Sequence, residues 1–65
     1  MQHMIKAYET SRTSIQRRIR ELTAALRDDT LMHRDRERLM QRRDLLTAES
    51  IEMLHIITDL RRHCA

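Results

Sequence analysis

The chain has 65 residues, a formal net charge of +3, and no Gly, Pro, Phe or Trp. Strands and their turns depend on aromatic residues, Gly and Pro, so this composition excludes β-rich and α/β folds. Helix-forming Arg, Leu, Met, Ala, Glu and Gln are abundant. We therefore expect a single all-α domain that spans residues 1–65.

The first predicted element is a helix over about residues 3–27. Its seam alternates steps of four and three residues, as in a coiled coil. The seam consists of Met1, Ile5, Tyr8, Arg12, Ile15, Ile19, Leu22 and Leu26. Arg12 is its polar member, and an Arg stem can cover apolar surface while its charged end reaches water.

A turn is predicted near residues 28–30, because the seam of the first helix becomes polar when it is extended past this point. Asp29 and Thr30 are favourable residues for starting a helix, and Asp28 tolerates the unusual backbone of a tight turn. No Gly is present to end the first helix, so we expect the turn to be short or slightly strained.

The second predicted element is a helix over about residues 30–62. Its apolar stripe has strict seven-residue spacing and consists of Met32, Leu39, Leu46, Met53 and Leu60. Folding the two helices about residue 29 gives an antiparallel helical hairpin. That fold places Arg12 opposite Leu46 and Tyr8 opposite Ser50.

The second helix has more apolar surface than the first helix can cover. A homodimer of hairpins that forms a four-helix bundle is the simplest closed solution, with a higher oligomer or an extended coiled coil as alternatives. The predicted oligomer interface is Met32, Leu39, Leu45, Leu46, Met53, Leu54, Ile56, Ile57 and Leu60.

Arginines form a possible phosphate-binding surface, because the planar guanidinium binds phosphate oxygens in pairs. The candidates are Arg17, Arg20, Arg34, Arg38 and Arg42, of which the last three form a ridge at four-residue spacing. Acidic residues interrupt the ridge, and no aromatic residue is interleaved for base stacking. The alternatives are an acidic protein partner, or a solvated face with helix-spaced ion pairs such as Arg17 with Glu21.

Residues with catalytic or metal-binding chemistry are few. Glu52 and His55 have a spacing that di-metal bundles use, but they lie on the side of the helix opposite the apolar stripe. Cys64 has no activating partner at helical spacing. We expect no enzymatic activity, no cofactor, no metal site and no small-molecule substrate.

The sequence contains no apolar run of the roughly 18 to 20 residues that cross a bilayer, and no signal-peptide pattern. We expect a cytoplasmic protein without a membrane partner.

In length and proposed architecture the chain resembles the plasmid copy-control proteins of the Rop family. Those proteins are helical hairpins that dimerise into a four-helix bundle and bind paired RNA loops. The resemblance is one of fold without shared motifs, and it implies a dimer and an RNA partner. Two hypotheses follow: a homo-oligomeric module that binds or scaffolds an unknown protein, or a small regulator that binds RNA or DNA through its arginines.

Overall fold

The computed structural model describes residues 2–64 of the chain, and their side chains as far as His63. Helix α1 spans Gln2–Ala25 and helix α2 spans His33–Cys64, and the two helices pack against each other as an antiparallel hairpin. The described residues contain no strand, so the prediction of an all-α hairpin is confirmed. The hairpin measures 50 × 14 × 12 Å, which is long and thin because only two helices share the contact.

The predicted seam of α1 is the face that packs against α2. Its members from Ile5 to Leu26 are all half-buried, including Arg12. Met1, the first member of the predicted seam, lies outside the described residues. The alternation of three and four residues therefore identified the packing face of this helix correctly.

The packing face of α2 consists of two interleaved series with seven-residue spacing. The predicted series contributes Leu39, Leu46, Met53 and Leu60, and a second series contributes Arg36, Arg43, Ser50 and Ile57. Ile57, with 4% of its surface exposed, is the one buried hydrophobic residue among those described, and Ser50 is 6% exposed. The prediction that Met32 belongs to the stripe is wrong, because Met32 precedes α2 and is 74% exposed.

The two helices pair in a register different from the predicted one. Arg12 lies opposite Ser50, to whose carbonyl oxygen it donates a hydrogen bond, and not opposite Leu46. Tyr8 shares a cleft with Met53 and not with Ser50. Both shifts are about one helical turn along α2. The connection between the helices occupies residues 26–32 and is longer than the predicted turn at 28–30, and it lets α2 start later.

The connection is held by side chains that bond to its backbone. The Asp28 Oδ1 atom accepts hydrogen bonds from the Thr30 backbone N–H at 2.9 Å and from the Thr30 hydroxyl at 2.7 Å, which is an Asx turn. No described residue has a positive φ angle, so the expected strain is absent there. Met32 directly precedes α2, and its carbonyl oxygen accepts the Arg36 N–H at 2.9 Å. Asp29 and Thr30 therefore do not start the helix as predicted.

In the absence of a glycine, the side chain of Arg36 caps the C-terminal end of α1. Its guanidinium donates to the carbonyl oxygens of Leu26 at 2.7 Å and Asp28 at 2.9 Å. Carbonyl groups at the end of a helix lack partners within the helix, and a cation there is also favoured by the helix dipole. A residue from the first turns of α2 thus terminates α1 and ties the two helices together at the connection.

Neither helix, within the residues described, has a stretch long and apolar enough to cross a membrane.

Candidate interaction surfaces of the hairpin

The residues predicted to form an oligomer interface fall into two groups in the structure. Leu39, Leu46, Met53, Ile57 and Leu60 lie in the contact between α1 and α2. The other four predicted residues, Met32, Leu45, Leu54 and Ile56, are exposed. At about 100° per residue, Leu45 and Ile56 lie on the opposite side of α2 from Leu54. The exposed members therefore belong to different surfaces.

One side of the hairpin has a groove that we call the threonine groove. It consists of two successive clefts of about 350 Å³ and 260 Å³. Ile19, Ser50 and Ile57 are among the residues at its floor. Its rims are formed by Glu9, Thr13, Gln16 and Arg20 of α1 and by Thr47, Ile51, Leu54 and Arg61 of α2. Ile51 and Leu54 are exposed apolar residues, so the groove has an apolar wall on the α2 side.

The threonines on this side of the hairpin satisfy their own hydroxyl groups. Thr13 donates to the Glu9 carbonyl oxygen at 2.9 Å, and Thr47 donates to that of Arg43 at 2.8 Å. Thr23 and Thr58, which lie seven residues after the rim residues Gln16 and Ile51, also donate to the carbonyl oxygen four residues earlier. Because these hydroxyls have partners within their own helices, the threonines present little unsatisfied polar surface to the groove.

Charged groups are concentrated at one end of the threonine groove. Glu9 of α1 forms an ion pair with Arg61 of α2 across the groove. Arg12 lies beside them, half-buried, with its Nε atom 3.2 Å from the Ser50 carbonyl oxygen. The ion pair is exposed, and exposed pairs contribute only about 0 to 1 kcal/mol. Its main effect is to balance charge at that end of the groove.

The other side of the hairpin has a smaller groove, which we call the tyrosine groove. Met4, Ala7, Tyr8 and Ser11 of α1 and Met53 of α2 line a cleft of about 290 Å³. Met4 is exposed, and Tyr8 and Met53 are half-buried. The lone aromatic residue of the chain thus contributes to the helix contact and to this surface at the same time.

The five predicted phosphate-binding arginines are exposed, and none of them forms an ion pair with a carboxylate of the described residues. The expected pair of Arg17 with Glu21 is not formed. Arg20 lines the threonine groove next to Ile51, whereas Arg42 lies nine residues from Ile51, on the opposite side of α2. Arg20 and Arg42 therefore cannot contact one phosphate strand together.

The predicted ridge of Arg34, Arg38 and Arg42 lies on the exposed surface of α2. The acidic residues within and beside this ridge form no ion pair with its arginines. Glu37 contacts His33 at 3.2 Å, and Asp44 contacts Arg43 at 3.3 Å. The ridge thus presents three guanidinium groups that are not neutralised by a direct contact. Its members are spaced about 6 Å apart along the helix axis.

The residues considered as metal ligands do not come together. Within the part of the chain that the structure describes, no three His, Cys, Asp or Glu side chains are grouped. Glu52 and His55 are exposed, and the His63 Nδ1 atom lies 2.7 Å from the Asp59 carbonyl oxygen.

Sequence reasoning missed Thr47 and Ile51, and it missed the capping role of Arg36. A signal for Thr47 was present, because Met40, Thr47 and Leu54 are spaced by seven residues beside the main stripe. The role of Arg36 had no local signal, since it depends on a contact with residues before the connection.

Comparison of the chain with protein-family models, with curated proteins and with solved structures gave no match.

Proposed function

We propose that the chain is a non-enzymatic interaction module that self-associates, with two hairpins forming a four-helix bundle that binds or scaffolds a protein partner. The observation that carries this proposal is the imbalance of apolar residues. Ile57 is buried, while seven large apolar side chains are exposed: Met4, Met32, Met40, Leu45, Ile51, Leu54 and Ile56. Three of these residues, Met40, Ile51 and Leu54, lie on one side of α2, and contiguous apolar surface on a folded chain marks an interaction site.

The accessible surface of the hairpin supports the same proposal. A globular monomer of 7.9 kDa exposes about 4,400 Å², whereas the hairpin exposes 5461 Å². The excess is about 1,000 Å², which is close to the surface that each partner buries in a protein interface of standard size, about 800 Å². Association with a second hairpin would bring the exposed surface per chain to that of an ordinary globular protein.

Thermal unfolding at several chain concentrations tests this proposal. When folding is coupled to association, the midpoint temperature depends on chain concentration. For a dimer of this size we expect a rise of about 5 °C for each tenfold increase in concentration. Circular dichroism at 222 nm measures the midpoint. A helical chain whose midpoint is constant from micromolar to millimolar concentration would show a self-sufficient monomer and reject the proposal.

Nucleic-acid binding is a second candidate function, favoured by the exposed and unneutralised guanidinium groups of Arg34, Arg38 and Arg42. Binding through three phosphate contacts would weaken about 40-fold between 50 and 200 mM salt. Anisotropy of a labelled RNA hairpin and of duplex DNA measures this. Changing these three arginines to Gln should abolish binding, whereas changing Arg18, Arg27 and Arg62 to Gln removes equal charge from exposed positions outside the five candidates and should weaken it less. Absence of binding at 50 mM salt would reject this function.

A further inference from the structure

We propose that the threonine groove is the surface on which a second copy of this chain docks, with a two-fold axis close to Thr47. This inference rests on the proposed self-association and adds which side of the hairpin is used and how the copies are oriented.

The side of α2 that carries the groove rim has a self-complementary pattern, which continues beyond the clefts to Met40. Met40 and Leu54 are exposed apolar residues that stand seven residues before and after the exposed Thr47. If α2 of the second copy runs antiparallel across Thr47, Met40 of each copy meets Leu54 of the other. A two-fold interface requires this reciprocity, since each residue contacts its counterpart twice. A small residue at the axis lets the helices approach, while the larger residues on both sides fill the space.

Removing water from the groove upon docking costs little free energy. The hydroxyl groups of Thr47 and Thr58 are bonded to carbonyl oxygens of their own helix at 2.8 Å. A hydroxyl buried without a partner would oppose association, but these hydroxyls keep their partners in the dimer. Among the charged groups that line the groove, Glu9 pairs with Arg61 and Arg12 donates to the Ser50 carbonyl oxygen, which leaves Arg20 at the rim, where its long side chain can reach solvent.

The size of this surface fits a second hairpin. With the axis at Thr47, Arg61 of one copy faces position 33 of the other, so contact along α2 can extend over residues 33–61. That length is about 42 Å at 1.5 Å per residue, and its apolar part from Met40 to Leu54 is about 21 Å long. Two helices side by side are about 20 Å wide, which gives roughly 800 Å² of flat area, close to the about 800 Å² per partner of a stable interface.

The opposite side of the hairpin is less suited to the docking of a second copy. That side of α2 carries the exposed Leu45 and Ile56. Pairing Leu45 of one copy with Ile56 of an antiparallel second copy would place Glu49 opposite Glu52, and such a contact of like charges opposes association. Docking through the threonine groove instead leaves the ridge of Arg34, Arg38 and Arg42 on the outside of the bundle.

Substitutions on the two sides of the full chain, followed by sedimentation equilibrium, test the proposal. Leu54→Asp and Ile56→Asp are a matched pair, because the two side chains are 42% and 40% exposed but lie on opposite sides of α2. We expect Leu54→Asp to weaken dimerisation at least tenfold and Ile56→Asp to leave it unchanged. Ile51→Asp, at a position more exposed than Leu54, should behave as Leu54→Asp does.

A cysteine cross-link tests the axis without disturbing the groove. In a Cys64→Ser background, Thr47→Cys should give a disulfide-linked dimer upon mild oxidation, because the axis brings the two copies of position 47 together. Ala48→Cys, one residue away on the exposed face of α2, should not cross-link at the same concentration.

The outcomes separate this proposal from the one on which it rests. A wild-type chain that is monomeric at every concentration overturns both. A wild-type dimer that survives Leu54→Asp and Ile51→Asp, or dissociates with Ile56→Asp, overturns the groove and keeps self-association. A dimer that dissociates with Leu54→Asp but cross-links through Ala48→Cys and not Thr47→Cys overturns the position of the axis.

Discussion

Arg12 of α1 donates a hydrogen bond from its Nε atom to the backbone carbonyl oxygen of Ser50 on α2, with 3.2 Å between the two atoms. The longest side chain in the seam of α1 thereby reaches the main chain of α2 at the smallest residue of its packing face. Ser50 is 6% exposed, so a larger side chain at position 50 would have little room beside the arginine stem. The bond joins the two helices at one point of their register.

Enlarging Ser50 should therefore destabilise the hairpin. Ser50→Leu inserts a large side chain where the Arg12 stem packs, and overpacking of this kind costs about 1–3 kcal/mol. Chemical denaturation monitored by circular dichroism measures the free energy of unfolding. Ala48→Leu, on the exposed face of α2, is the control and should change it by no more than about 0.5 kcal/mol. Equal effects of the two substitutions would contradict the role of Ser50.

Removal of the Arg36 guanidinium should destabilise the junction of the helices. Arg36→Ala takes away the donors to the Leu26 and Asp28 carbonyl oxygens, and charge-assisted bonds at a partly exposed site contribute about 1–2 kcal/mol. We expect the midpoint of thermal unfolding to fall by about 5–10 °C. Arg38→Ala removes an exposed arginine of the same helix and should leave the midpoint within about 2 °C. If the midpoint fell by a similar amount in both variants, the cause would be the removal of a positive charge and not the loss of the bonds that Arg36 makes.

Features of this fold that depend on residues close together in the sequence could be predicted, and features that depend on residues far apart in the sequence could not. The half-buried face from Ile5 to Leu26 followed from periodicity alone, because helical spacing is a local property. The register did not follow, since it depends on the contact of Ser50 with Arg12 of α1 and on the bond of Arg36 to Leu26 in the connection. Neither Arg nor Ser carries an apolar signal, so both were omitted from the predicted stripe.

The candidate surfaces were predictable only in part. Leu54 and the ridge of arginines were identified from the sequence, and the structure places them on the exposed surface. That Arg20 and Arg42 lie on different sides of the hairpin could not be predicted from the sequence, because it depends on how α1 packs on α2. The seven-residue spacing of Met40, Thr47 and Leu54 was a signal for Thr47 that the prediction did not use, whereas the bond of its hydroxyl group to the helix is visible only in three dimensions.

Stability should depend on the ionisation of Asp28. Hydrogen bonds from the Thr30 hydroxyl and the Thr30 backbone N–H, with a smaller effect of the Arg36 charge, lower the pKa of Asp28 from its ordinary value of 3.8. A carboxyl group whose pKa is lowered by folding stabilises the folded chain above its unfolded pKa. That stabilisation is lost as the pH falls through the folded pKa.

Asp28→Asn tests this dependence, because the amide keeps the acceptor oxygen and removes the charge. We expect the wild-type chain to melt at a higher temperature than Asp28→Asn at pH 7, and the difference to shrink as the pH falls through the lowered pKa of Asp28. Thermal unfolding of both chains at pH 7 and at a series of acidic pH values measures it. A difference that persists unchanged in acid would show that ionisation of Asp28 has no part in stability.

The buried position in the contact of the helices should be the most sensitive apolar site. Ile57→Ala leaves a cavity at a residue that is 4% exposed, and such substitutions cost about 2–4 kcal/mol. The neighbouring Ile56→Ala removes the same atoms from an exposed position and should cost about 0.5 kcal/mol. Chemical denaturation of the two variants at one chain concentration compares them. A larger loss for Ile56→Ala would contradict the assignment of the helix contact.

If one hairpin does not complete its own core and two copies do, the chain should be a dimer in solution. Light scattering on the peak from size-exclusion chromatography, with mass calculated from refractive index, measures its mass. We expect a mass of twice the 7.9 kDa chain at micromolar concentration. A helical species with the mass of a single chain throughout the concentration range would contradict this expectation.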